Sequence, residues 1–382
     1  MSTLQEERDL IFTNVFSGRK PSRVPIMVQM NIEAALEYFD YSILRDFYSP
    51  EKCYEAADRM AEILNTDTIP VSPATTPGAV FRYIGQKFMV AGADGFFQHP
   101  DISPMEFEEY PEFSQDVFKF IVEKIHPRVF TVFDEHPELA HLKIKIARDV
   151  VNAQFAGMGA KLIQKHERTS VCTSAGMSWA PFDFIADYIR SFSTMLVDMR
   201  RKPQWVLDAC EAVLVYLTNQ AKALPPAQPG KTNEIMMPLH MPPFMRPKDV
   251  EKFYWPTFRK LVEAIEAAGH TPSIFFEENW DPHMELIPDL PGRYVAKFEN
   301  SNLELIAKTV PDRVIKHGAF PTVMLRSASK QECTDTAKEM VDILAPGGNY
   351  IFCTNKRFIR GNDIAAENLQ AVIECVREYG RY

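Results

Sequence analysis

No two cysteines of this chain stand in CxxC spacing: Cys53, Cys172, Cys210, Cys333, Cys353 and Cys375 are scattered. That excludes a small disulfide scaffold and points to reduced thiols in the cytoplasm. There is no excess of positive charge. Forty-two Lys and Arg face 51 Asp and Glu, a net charge of −9, which disfavours a general nucleic-acid or anionic-membrane binder. No apolar run approaches the roughly 18 residues of a membrane span. The opening Met-Ser-Thr-Leu-Gln-Glu-Glu-Arg does not read as a signal peptide. No GxGxxG follows any apolar run, and no repeat or low-complexity tract is visible.

What is present is an ordinary globular composition. Of 382 residues, 46% are hydrophobic and 24% charged, which excludes disorder and collagen. Residues 4–17 read as an amphipathic helix that Gly18 stops. Short apolar runs follow at Val24–Gln29, Thr68–Ser72, Ser170–Ser174, Glu234–His240, Ser273–Glu277, Tyr294–Glu299, Val314–Gly318 and Asn349–Cys353. They are mostly not alternating, as expected of strands buried on both faces. Helical patterns near 50–64, 203–222, 248–268, 302–309, 329–344 and 363–378 separate them. Eight strand-then-helix units predict an α/β protein, a (β/α)8 TIM-type barrel, with a doubly wound sheet as runner-up. Segments 75–169 and 175–233 are too long for bare βα connections. They are expected as excursions over the barrel mouth of a single domain spanning 1–382.

In such a barrel, chemistry sits where the strands end. The fourth run ends in His240, the fifth in Glu277 and the sixth in Glu299; the seventh holds His317 and the eighth ends in Cys353. Imidazole, carboxylate and thiolate are the usual zinc ligands. At least two of these groups are expected to share a divalent metal. His317 is equally compatible with a hydrogen-bonded core histidine, and Cys353 with a small buried hydrophobe. Met30, Met236, Met237, Met241, Phe244, Phe276, Trp280 and Phe320 lie near the same strand ends and suit either plain core or a flat slot for an arene.

Seven fragments carry a resemblance: Arg23-Val-Pro-Ile-Met-Val28, Asp67, Ala180-Pro-Phe-Asp183, Asp198-Met-Arg-Arg-Lys-Pro203, Phe253-Tyr-Trp-Pro256, Ala345-Pro-Gly-Gly348 and Glu367-Asn-Leu-Gln-Ala371. In this order and spacing the chain resembles the uroporphyrinogen decarboxylase superfamily, which includes corrinoid-dependent methyltransferases. Its departures select the branch. Decarboxylases of the family carry arginines after the first strand, but here no Lys or Arg stands between Arg23 and Arg45. Thiol-methylating members carry His-x-Cys after the fifth strand, where this chain has Phe275-Phe276-Glu277.

The remaining branch implies demethylation of a small methylated donor, most readily an aryl methyl ether, onto the cobalamin of a partner corrinoid protein. By that resemblance Glu277 and His240 are the catalytic pair and, with Cys353, the ligands of a zinc or other divalent ion. Glu299, His317, Met30 and Phe276 are expected to contact substrate. The reading includes no nucleic acid or membrane partner and leaves a homodimer open. Its alternatives are a porphyrinogen decarboxylase and a non-catalytic barrel that binds a small molecule or a corrinoid protein.

Overall fold

The computed structural model describes residues 3–74 and 77–382. The first two residues of the expected 75–169 excursion lie outside that description. A two-residue antiparallel pair, β1 (Val90–Ala91) and β2 (Phe97–Gln98), belongs to this excursion. The main sheet follows: β3 (Ser174–Met177), β4 (Glu234–Leu239), β5 (Thr271–Phe276), β6 (Val295–Phe298), β7 (Ile315–Phe320) and β8 (Tyr350–Thr354), side by side in chain order and all parallel.

The first two expected strands do not form ladders. Segments 24–30 and 67–71 make isolated parallel bridges, Ile26 with Phe352 and Met30 with Val71. Pro25 and Pro70 have no N–H to donate, which removes one ladder bond from each segment. The ring nevertheless closes through single backbone bonds. Met27 N donates to Phe352 O (2.8 Å), Asp67 N to Ile26 O (2.9 Å), Thr169 N to Asp67 O (2.8 Å) and Thr232 N to Val171 O (2.9 Å). The third expected strand, Ser170–Ser174, follows this path, but its ladder begins only at Ser174 and shifts register before Gly176. The barrel architecture therefore holds, with six laddered strands and two irregular staves among the described residues.

Helix α1 (Leu4–Phe16) starts at a capping box in which Thr3 and Glu6 satisfy each other's backbone N–H, and it ends before Gly18 at φ +74°. Its Ile11, Phe12 and Val15 pack against Val171, Val295, Ile315 and Ile351. These partners sit at the starts of β6, β7 and β8, so the helix plugs the lower end of the barrel. Side chains alternate along a strand, so Lys297, His317 and Cys353 face inward one layer above the plug.

A buried carboxylate fastens the irregular staves. Asp67 is fully buried and accepts from both Arg23 terminal nitrogens (2.7 and 2.8 Å), from Arg8 Nε (3.3 Å), from Arg377 (3.4 Å) and from Ile26 N (2.8 Å). Burial alone would raise its pKa; Arg23 and Arg377 outweigh that and hold it below the usual carboxylate range.

The two long connections are mostly helical. Residues 178–233 include helices Pro181–Ile185, Phe192–Arg201 and Pro203–Ala223. Arg190 ties the two connections together, donating to Asp198 (2.8 Å) and to Ser103 (3.1 Å). No helix among the described residues is long and apolar enough to cross a membrane.

Candidate active site

Above the plug, a cavity of about 690 Å³ opens at the carboxyl ends of the strands. Inward positions of four neighbouring strands line it: Met236 and Pro238 of β4, Ser273 and Phe275 of β5, Lys297 of β6 and His317 of β7, with His240, Glu277 and Glu299 just beyond. Register sets these neighbours side by side, with Pro238 opposite Phe275, Phe275 opposite Lys297, and Lys297 opposite His317.

His240 and Glu277 meet as expected. His240 Nδ1 lies 2.9 Å from Glu277 Oε2. Its Nε2 is 3.6 Å from Asp187 Oδ2, beyond hydrogen-bond range, on a side chain still one-third exposed. Asp183 fixes the backbone beneath it. The two Asp183 oxygens accept from His240 N and Met241 N (both 3.1 Å), and Tyr254 OH donates to Oδ2 at 2.6 Å.

Asp183 and Asp187 come from one helical run, four residues apart. That run widens to a π-turn over Ala186–Arg190, a distortion common at functional sites. Sequence reasoning quoted Ala180–Asp183 only as a family fragment and missed both carboxylates as neighbours of His240. The i, i+4 acidic pair was the available signal.

Burial alone would lower the His240 pKa. The hydrogen bond to Glu277 and the charges of Asp187 and Asp183 outweigh it and push it up to about 10. Burial pushes Asp183 up to about 7 and Asp187 up to about 6, because several carboxylates around one imidazolium cannot all ionise cheaply away from water. The raised pKa favours an imidazolium at neutral pH, with Nε2 on the Asp187 side of the cavity and without a hydrogen bond.

The expected metal set does not form. Among the described residues, no three His, Cys, Asp or Glu side chains are grouped to hold an ion. Cys353 is the correction: it is fully buried, its only described side-chain contact is Thr354 Oγ1 at 4.0 Å, and it does not line the cavity. Burial pushes its thiol up, against the pull of Lys297, so it stays protonated and packs as a small hydrophobe. The donor side chains present do not make the set that zinc takes.

Glu299 and His317 do line the cavity. Glu299 Oε2 accepts from Glu278 N at 2.9 Å, which holds Glu278 at φ +56°. His317 is held neutral by burial and by Lys297, and its Nε2 is buried without a hydrogen-bond partner among the described residues.

Met30 and Phe276 are further corrections. Both are buried but face away from the cavity, and Phe276 stacks on Phe298 with ring centres 5.0 Å apart. Strand parity is the reason: with Glu277 inside, Phe275 is inside and Phe276 outside, and likewise Gln29 and Asn31 take the place expected of Met30. Aromatic walls come instead from Phe275, Trp179 and Tyr188, the last two edge to face at 5.1 Å. Trp179 and Tyr188 stand in the excursion, beyond reach of a search of strand ends.

No curated protein matches the chain. Among solved structures, a methyltransferase from Methanosarcina mazei superposes with a TM-score of 0.59 at 13% identity, covering 99% of each chain; at that identity the likeness is one of fold. The family model described as uroporphyrinogen decarboxylase (URO-D) matches residues 106–379, and the chain belongs to the uroporphyrinogen decarboxylase family.

Proposed function

We propose that the protein is a methyltransferase that demethylates a small donor, an aryl methyl ether in the first instance, and passes the methyl group to a corrinoid protein. The observation that carries this reading is the placement of the His240 ring on the cavity wall, between Glu277 and Asp187. The ring is held by Glu277 at 2.9 Å, and its second nitrogen, 3.6 Å from Asp187, is the one left for a substrate in an aromatic-walled cavity. The Methanosarcina structure with the same fold is called a methyltransferase, which supports the same direction.

The chemistry needs help at oxygen. A phenol has a pKa of about 10, so its anion leaves poorly. Nucleophilic attack on the methyl carbon breaks the carbon–oxygen bond, and its electron pair moves to oxygen. His240 Nε2 donates a proton there as charge develops. A general acid acts best when its pKa matches the task, and His240 at about 10 matches a phenolic oxygen. Glu277 keeps the ring oriented, and Asp183 keeps its backbone in place. Phe275, Trp179 and Tyr188 exclude water from the arene. A reduced corrinoid on a partner protein supplies the nucleophile.

Porphyrinogen decarboxylation fits less well. Its substrate carries eight carboxylates, whereas Asp187, Glu277, Glu278 and Glu299 line the same walls as Lys297, Lys356 and Arg357. Such a mixed lining lacks the excess of cations that eight carboxylates need.

The test is methylation of free cob(I)alamin by 4-methoxybenzoate and related ethers, read by absorbance of the methylated product. Turnover with the ethers is expected. No turnover across ethers, amines and thioethers would sink the reading. One tightly held divalent ion per chain whose removal abolishes turnover would overturn the proton account.

A further inference from the structure

The cavity also carries cations, on β6 and on the loop after β8, that the proposed proton transfer does not use. Lys297 is 7% exposed, and its Nζ donates to Gln29 Oε1 at 2.9 Å. That partner is a neutral amide, which leaves the ammonium charge without a contacting carboxylate among the described residues. Glu299, the nearest acid by sequence, faces Lys356 at 3.7 Å and caps Glu278 N instead.

Arg357, on the loop after β8, also lines the cavity. Its side chain makes no hydrogen bond or ion pair among the described residues. His317 stands beside Lys297 in register, with its buried Nε2 unpartnered. Two cations and an orphaned ring nitrogen thus line one cavity.

An ammonium taken out of water costs several kcal/mol unless an anion offsets it. The backbone is shaped to keep this one in place. Gly318 adopts φ +86°, and a Cβ there would stand 3.0 Å from Lys297 Cγ, so the lysine stem passes where only glycine leaves room.

We propose that Lys297 and Arg357, with the Gln29 amide and His317 Nε2, form a receptor for one carboxylate of the methyl donor, so that the substrate class is an acidic methoxyarene. The inference rests on the methyl-donor reading for its purpose, but the receptor can be tested without methyl transfer. Guanidinium offers a planar fork to a carboxylate, and the ammonium adds a point charge. A ring anchored there shares the cavity with Phe275, Trp179 and His240. Two cations suit one carboxylate; they do not suit a porphyrinogen.

Calorimetric titration with benzoate, which has no methyl ether, probes the receptor alone. Benzoate and 4-methoxybenzoate are expected to bind at least tenfold more tightly than 4-methoxybenzamide. Arg357→Gln, at an exposed loop position that leaves folding intact, and Lys297→Met should each weaken the acids at least tenfold and change the amide less than twofold. Equal affinity for acid and amide would overturn the receptor, as would unchanged benzoate binding by Arg357→Gln. Benzoate binding without turnover of any ether would leave the receptor standing and overturn the methyl-donor reading. Turnover with no preference for acids would do the reverse.

Discussion

At the scale of single residues, His240 decides how the site responds to pH. Its folded pKa is raised, so the imidazolium is present below about pH 10 and lost as pH rises through that value. The rate of methyl transfer should therefore hold through neutral pH and fall on an alkaline limb near 10, not near the ordinary histidine value of about 6.5. His240→Gln should lower kcat by roughly 10²–10⁴, the usual worth of a positioned proton donor. Glu277→Gln should move the alkaline limb down toward neutrality, because Glu277 supplies the hydrogen bond that raises it. A rate profile measured from pH 6 to 11 on both variants checks this; a limb unmoved in Glu277→Gln would refute the assignment. The pairing of His240 with Glu277 was legible in the sequence because both close apolar runs on neighbouring strands. Asp187 was not, because it reaches the site from a helix in a long connection. Cys353 misled because an inward strand position is necessary for a ligand but not sufficient: this one is buried near Lys297 and does not line the cavity.

Single elements show where pattern reading works and where it stops. The helices read from period and caps match closely: 50–64 against Pro50–Ile63, 329–344 against Lys330–Leu344, and 203–222 against Pro203–Ala223. Strands β4 to β8 also fall within two residues of the apolar runs. Facing was less legible, since a run buried on both sides has no polar face to mark which side is inward. Fixing one residue settles it: once Glu277 is inside, parity puts Phe275 on the wall and Phe276 behind it. Strand β7 adds a local device. Gly318 and Ala319 both have positive φ, at +86° and +74°, and Tyr350 OH donates to Gly318 O at 2.9 Å to hold the bend. Gly318→Ala meets both a disfavoured backbone and the stem of Lys297. It should cost roughly 1–3 kcal/mol of stability, seen as a lower midpoint in urea. It should also weaken benzoate binding by displacing Lys297. A variant as stable as the parent would show that the bend tolerates a side chain.

At the scale of the whole molecule, the barrel depends on one buried acid for its closure. Among the described residues, two of its eight staves make only isolated bridges. Asp67 does the joining instead, by binding Ile26 N and Arg23 on one side while Arg8 and Arg377 reach it from the first and last helices. Both ends of the chain are thereby tied to the seam, and the α1 plug is held under the cavity. Removing the charge leaves Arg8 buried without a counter-ion and Arg23 with only the half-exposed Glu7 at 3.8 Å, a loss of about 3–5 kcal/mol for a broken buried pair. Asp67→Asn should therefore unfold at markedly lower denaturant than the parent. The sign with pH follows from the depressed pKa. The Asp67 contribution is complete above its unfolded value of about 3.9 and is lost as pH falls through the lower folded value. The parent should thus lose stability steeply in acid, while Asp67→Asn, already without that contribution, should show a flatter acid limb. Parallel unfolding curves from pH 7 down to 3 measure the difference; identical acid limbs would mean that the seam is held by packing and not by this carboxylate.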